Sequence, residues 1–186
     1  IEFFGYDDTN SEIELILMMN IFFKSLNLKN IKLHINSLGN LADRNNYKEI
    51  IKSNISDKIE SFEESIKLTF NKNPLRLLDS KNENIAEICA ELPNLLENIN
   101  SDSKNKFDDF VKKLEDLGIE YIIDNSIVRG LDYYNDLVFE WKADQLGAQN
   151  AICAGGRYDN LVNELGNTRV PAIGLAMGVE RIIELL

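Results

Sequence analysis

Residues 125–159, NSIVRGLDYYNDLVFEWKADQLGAQNAICAGGRYD, decide the fold. Residues 137–143 and 151–154 have strand character, and the link at 145–150, with Gly147 free to turn, makes them an antiparallel hairpin. The stretch also holds Arg129 next to a glycine, the pair Tyr133-Tyr134, and Gly155-Gly156-Arg157-Tyr158-Asp159. A hairpin that served only as scaffold would not need so many polar groups.

Working outward, residues 119–124 and 127–134 read as further strands, which would send Tyr133 and Tyr134 to opposite faces. The Gly-Gly pair reads as a turn into a short helix at 158–165. Residues 172–177 form a last strand running into a helix that starts near Gly178. In 174–178 a small residue at every second position (Gly174, Ala176, Gly178) clears one face of that strand, leaving a floor for a planar ligand or room for close packing.

Toward the start, residues 1–6 are strand-like with no leading cap. Ser11-Glu12-Ile13-Glu14 fits a capping box ahead of Ile13, Ile16, Leu17, Ile21 and Phe22, so a helix is expected over about 11–26. Residues 31–36 alternate as a strand. From 41 to 117 the periodicity becomes helical: Ile55, Ile59, Phe62, Ile66 and Phe70 form one stripe, Pro74 ends it, and Phe107, Phe110, Val111, Leu114 and Leu117 form another that stops at Gly118. The expected fold is α+β: an antiparallel sheet built from 1–40 and 118–186, with 41–117 as an inserted helical lobe.

Composition narrows the function. No apolar run approaches the ~20 residues of a membrane span, and residues 1–8 carry no export signal. Cys89 and Cys153 stand in no metal or redox spacing, as suits reduced thiols in a cytoplasmic protein, and His34 has neither a second histidine nor a flanking carboxylate cluster with which to hold a metal. The net charge of -11 argues against a generally basic nucleic-acid surface, although Lys67, Lys72, Arg76 and Lys81 leave room for a local strip in the helical region. There is no GxxxxGK[ST] loop, no HExxH and no set of residues for a serine triad. The remaining chemistry centres on Arg129, whose planar guanidinium either holds a carboxylate or phosphate or pairs with Asp132 or Glu140.

Several segments together resemble the histidyl-tRNA synthetases, a class II aminoacyl-tRNA synthetase family. Arg129-Gly130-Leu131-Asp132-Tyr133-Tyr134 and Ala154-Gly155-Gly156-Arg157-Tyr158-Asp159 look like the two histidine-recognition motifs of that family, and residues 174–181 look like class II motif 3. Asn36-Ser37-Leu38-Gly39 and Asn73-Pro74-Leu75-Arg76-Leu77-Leu78-Asp79-Ser80-Lys81 are similar to other stretches of it. The resemblance implies a histidine-tRNA ligase that forms histidyl-adenylate from histidine and ATP and passes the histidine to tRNA(His). Arg129 would touch the histidine carboxylate and the α-phosphate. Glu2 and Tyr134 would hold the two imidazole nitrogens, with Tyr133 and Tyr158 lining the pocket and Arg181 at the far end of ATP.

It further implies Mg2+ carried by ATP with no protein-held metal, tRNA contact through the insertion, and a homodimer. Motifs 1 and 2 would precede Ile1 and an anticodon-binding domain would follow Leu186, so this stretch alone is expected not to complete activation. The histidine-binding regulatory subunit of ATP phosphoribosyltransferase, a non-catalytic relative of class II fold, is the alternative.

Overall fold

The computed structural model describes every residue except 81, 130–132, 148–149 and 167. A six-stranded sheet runs in the order β1-β6-β5-β4-β2-β3, from β1 (Glu2–Phe4), β2 (Ile31–Ser37), β3 (Tyr121–Ile123), β4 (Asn135–Ala143), β5 (Ala151–Arg157) and β6 (Ala172–Met177). Every neighbouring pair is antiparallel except β2 with β3 at one edge. The expected β4–β5 hairpin is present, with Gly147 at φ 68 in its connection.

One face of the sheet carries Leu33, Ile35, Phe139, Trp141, Ile173 and Leu175. Against it pack Leu15, Ile16, Met19 and Phe23 of α1 (Thr9–Ser25) and Phe107, Phe110 and Leu114 of α5 (Ser101–Asp116). The expected phenylalanine stripe of α5 is therefore real, and it faces the sheet alongside α1. The helices α2 (Leu41–Ile59), α3 (Glu64–Lys72) and α4 (Glu83–Ala90) join a second cluster, in which Ile51, Ile55, Leu77 and Ile85 meet Val138, Tyr134, Tyr158 and Ala172 from the opposite side of the sheet.

The start of α2 and the start of α5 are tied together. Asn40 and Asp43 form a reciprocal capping box at α2. The same Asp43 carboxylate accepts from the Asn100 backbone N–H at 3.1 Å and from its side chain at 2.6 Å, while Ser103 donates to Asp136 at 2.6 Å. Gly39, at φ 62, allows this approach, since a Cβ there would lie 2.5 Å from the Asp43 carboxylate and 2.8 Å from Ile99.

Three local expectations give way. The cap of α1 is Asp8, whose carboxylate accepts from the N–H groups of Asn10 and Ser11, so Ser11 lies one turn inside the helix. An aspartate three residues earlier satisfies the same orphan donors, and the Ser-Glu-Ile-Glu pattern loses to it. The strand expected at 127–134 does not form: Ile127, Val128 and Arg129 are irregular, Arg129 has φ 55, and 130–132 lie outside the described residues. Gly155-Gly156 is not a turn but the middle of β5, where a Cβ on Gly155 would come within 2.8 Å of the Phe139 ring and one on Gly156 within 2.7 Å of the Leu137 carbonyl.

Arg157, at the end of β5, is 1% exposed. Its Nε donates to Glu12 of α1 at 2.6 Å and its Nη1 to Asp159 at 3.1 Å and to the Tyr6 carbonyl at 3.1 Å. Asp159 in turn accepts from the Ala172 N–H at 3.0 Å. Burial pushes the Glu12 carboxyl up to about 7, against the pull of Arg157. Removing the one cation would leave two carboxylates buried together. Arg157→Met is therefore expected to cost about 3–5 kcal/mol of stability, read as a lowered urea midpoint; a midpoint within error of the wild type would show that the knot contributes little.

Candidate active site

The face of the sheet opposite α1 is bare where β6 and β5 present Gly174, Ala176 and Ala154. A cleft of about 530 Å³ opens over them. Gly174 is required here: a Cβ would run into the Glu2 carboxylate and lie 2.8 Å from the Ile1 carbonyl. The alternation of small residues along β6 therefore yields a cavity floor.

Five of the six site residues expected from the sequence line this cleft: Glu2 from β1, Arg129, Tyr133 and Tyr134 from the irregular segment before β4, and Tyr158 just after β5. Tyr133 and Tyr134 do not point to opposite faces. Their rings lie 4.7 Å apart, and both meet the Tyr158 ring edge-on, at 5.8 and 6.2 Å. Because the chain is not extended here, the alternation rule has no purchase, and three tyrosines form one aromatic wall. The Tyr158 hydroxyl donates to Glu2. Burial, and then the Glu2 carboxylate, push that hydroxyl above the usual phenol range, which keeps it protonated as a donor.

Arg129 sits at the rim, with its guanidinium carbon 5.5 Å from the centre of the Tyr134 ring. Its Nη1 donates to Glu140 of β4 at 2.7 Å, one of the two pairings open from the sequence, while Asp132 lies outside the described residues. Its Nε is buried and meets no hydrogen-bond partner among the described residues. Arg129 also borders a second cavity of about 310 Å³, whose walls include Thr69, Arg76 and Ser80.

Behind Glu140 runs a ladder of charged groups on the same face. Lys142 lies 3.5 Å from Glu140 and donates to Asp124 at 2.9 Å, and Asp124 also meets His34 at 2.8 Å and accepts from Ser126 at 2.6 Å. The lone histidine, on β2, is thus partnered by Asp124 just past the end of β3.

Arg181, the sixth expected residue, does not line the cleft. It stands in α7 (Val179–Leu185) and donates to the carbonyl of Ala151 at the start of β5. Of the basic residues noted in the helical region, Lys67 pairs with Glu60 at 3.0 Å and Lys81 lies outside the described residues. Among the described residues no cluster of His, Cys, Asp or Glu could hold a metal ion, and no helix is long and apolar enough to cross a membrane.

The sequence reading missed the Glu12–Arg157–Asp159 knot behind Tyr158. A signal for it was available, because Glu12 falls on the stripe of Leu15, Ile16, Met19 and Phe23, the buried side of α1. Phe4, Leu161 and Val162 at the cleft mouth carried no such signal.

The chain as a whole is similar to known proteins. The sequence profile described as Histidyl-tRNA synthetase matches residues 1–182. The chain is 42% identical, over its whole length, to the histidine–tRNA ligase of Microcystis aeruginosa, and 41% identical to that of Francisella philomiragia. It spans about 44% of the length of each. Its fold matches apo histidyl-tRNA synthetase of S. aureus with a TM-score of 0.76 at 29% identity, covering all of this chain and 45% of that one. A Bacillus halodurans protein described as an ATP phosphoribosyltransferase regulatory subunit/histidyl-tRNA synthetase shares the fold at a TM-score of 0.65 and 19% identity, covering all of this chain and 52% of that one.

The charge ladder sets an acid limit on stability. Burial would raise Asp124, but hydrogen bonds from Ser126, Lys142 and His34 hold it well below its ordinary 3.8. A carboxyl depressed in the folded state stabilises at pH above the unfolded value and loses that contribution as pH falls through the folded one. Asp124→Asn should therefore lower stability at pH 6 and flatten the loss that the wild type shows below about pH 4, a difference that thermal melts across pH would reveal; parallel curves would remove Asp124 from the account.

Proposed function

Since the chain belongs to the histidyl-tRNA synthetase family, we propose that its cleft holds histidine, and that the full-length protein carrying it joins histidine to tRNA(His) at the expense of ATP. One observation supports this most: Glu2, Arg129, Tyr133, Tyr134 and Tyr158, drawn from distant parts of the chain, line a single cleft with a flat floor of small residues.

In this reading the imidazole lies over Gly174 and Ala176. One ring nitrogen donates to Glu2 and the other meets the Tyr134 hydroxyl, so both polar edges of the ring are matched. An apolar amino acid would leave the Glu2 carboxylate without its acceptor role filled, the kind of mismatch that discriminates strongly. Tyr158, which donates to Glu2 here, orients that carboxylate and closes the pocket beside Tyr133.

Activation is the attack of a histidine carboxylate oxygen on the α-phosphorus of ATP. The new bond is the mixed anhydride of histidyl-adenylate, and pyrophosphate leaves with the electrons of the broken P–O bond. Negative charge accumulates on the α-phosphate oxygens, and a fixed guanidinium at the cleft rim stabilises it without bond-making of its own. That is the role assigned to Arg129. Mg2+ would arrive on ATP, and Arg181, outside the cleft lining, would hold the distal end of the nucleotide. Residues 41–117 are proposed as an inserted unit that reaches the acceptor arm of the tRNA, with its last helix seated on the sheet. A cytoplasmic homodimer completes the proposal, with the remaining activating groups supplied by parts of the full-length protein beyond this chain.

Calorimetric titration of histidine into the full-length protein tests the core of the reading. Saturable heat is expected, weakened about tenfold by Tyr134→Phe through loss of one hydrogen bond; absence of heat would refute it. Arg129→Ala should cut histidine-dependent ATP–pyrophosphate exchange by about 10²–10³. Binding without any exchange in the wild type would instead favour a non-catalytic histidine sensor.

A further inference from the structure

The ion pair between Arg129 and Glu140 and the role of Arg129 at the cleft are compatible, and we infer that Glu140 is the positioning residue that holds Arg129 in its working orientation. This rests on the functional reading above for Arg129 and adds Glu140, which lies on β4 and outside the lining of the cleft.

Left to itself, Arg129 has little to fix it. Its backbone is left-handed at φ 55, its neighbours on β4 begin only at Asn135, and its Nε is buried with no hydrogen-bond partner among the described residues. A side chain so placed gives up solvent at Nε and a comfortable backbone, and it persists only if other contacts determine it. Two do so. The Tyr134 ring lies 5.5 Å from the guanidinium carbon, and Glu140 accepts from Nη1 at 2.7 Å. Stacking on a ring face sets the plane of a guanidinium loosely, whereas a charge-assisted hydrogen bond to one nitrogen sets its rotation.

Glu140 is well suited to this task. It is paired across the sheet with His34 and neighbours Ala154 on β5, in the middle of regular strands. Its second oxygen lies 3.5 Å from Lys142, which Asp124 holds at 2.9 Å. The Arg129 and Glu140 side chains are each only about a fifth exposed, at 22% and 19%. The carboxylate is thus anchored on the rigid part of the fold and extends that rigidity to an arginine on an irregular segment. With one end of the fork taken by Glu140, the rest of the guanidinium remains for a substrate oxygen.

The test uses the full-length protein and two independent readouts. In the first, the guanidinium 15N signals of Arg129, assigned by their loss in Arg129→Lys, should show slowed rotation in the wild type and averaging in Glu140→Gln and Glu140→Ala. This needs neither histidine nor ATP. In the second, Glu140→Gln should lower kcat for ATP–pyrophosphate exchange by 10- to 100-fold, the scale of loss for a misplaced catalytic group, with Glu140→Ala lower still and the calorimetric Kd for histidine raised no further than Arg129→Met raises it. In an Arg129→Met background the Glu140 substitutions should add no further loss. Freely averaging Arg129 signals in the wild type, or a Glu140 loss that persists undiminished in the Arg129→Met background, would overturn the assignment. If the wild type shows slowed rotation but no exchange, the positioning stands and the functional reading of the cleft fails.

Discussion

The buried guanidinium of Arg157 is the interaction on which the rest of the architecture depends. It has two carboxylates and backbone carbonyls around it and almost no water, so its position is fixed by what surrounds it rather than by solvent. The groups it gathers come from the β1–α1 connection, from α1 and from the end of β5. Through Asp159 the same set reaches the backbone of β6. A charge in such a place is seldom a net gain over apolar packing, but it admits few alternative arrangements. Here the arrangement it selects sets Tyr158, the residue between Arg157 and Asp159, beside Glu2 and the floor of the cleft.

The cleft itself is made by subtraction. Gly174, Ala176 and Ala154 supply no bulk, and the sheet surface they leave is walled by three tyrosine rings that pack on one another. The wall continues into the apolar cluster with α2 and α4, since Tyr134 and Tyr158 belong to the group that includes Ile51, Ile55 and Ile85. The helices on this side of the sheet are therefore part of what keeps the pocket in shape, in addition to whatever they contact outside it.

Much of this was legible in the sequence, and the parts that were not share a cause. Strands with alternating apolar residues, such as β2 and β4, and the helices with clear stripes were readable because their pattern is local. Of the residues that line the cleft, Arg129 stood out by its own chemistry as a fixed cation, whereas Glu2, Tyr133, Tyr134 and Tyr158 were singled out through the family resemblance and not through a local pattern. What failed depended on distant neighbours. Gly155 and Gly156 looked like a turn, because nothing nearby in sequence says that Phe139 and the Leu137 carbonyl will crowd them in mid-sheet. Residues 127–134 looked like a strand, because periodicity is blind to the left-handed backbone at Arg129. The Glu12 partner of Arg157 lies far away along the chain, and only its place on the buried stripe of α1 hinted that it needed a cation.

The clasp between Asp43 and Asn100 has a geometric consequence. The chain leaves β2 just before α2, and the start of α5 is held against that same point, so the chain between Asp43 and Asn100 is a loop whose ends meet at one polar joint and whose helices pack back on the sheet through the second apolar cluster. Such a loop can lengthen or shorten at a cost that grows only logarithmically with its size. The register of β2 against β4 is set by residues before it departs and after it returns. The fold thereby separates two kinds of constraint: strand register is set by pairing on either side of this loop, while the helices of the loop bear on the cleft through their packing in one cluster with Tyr134 and Tyr158.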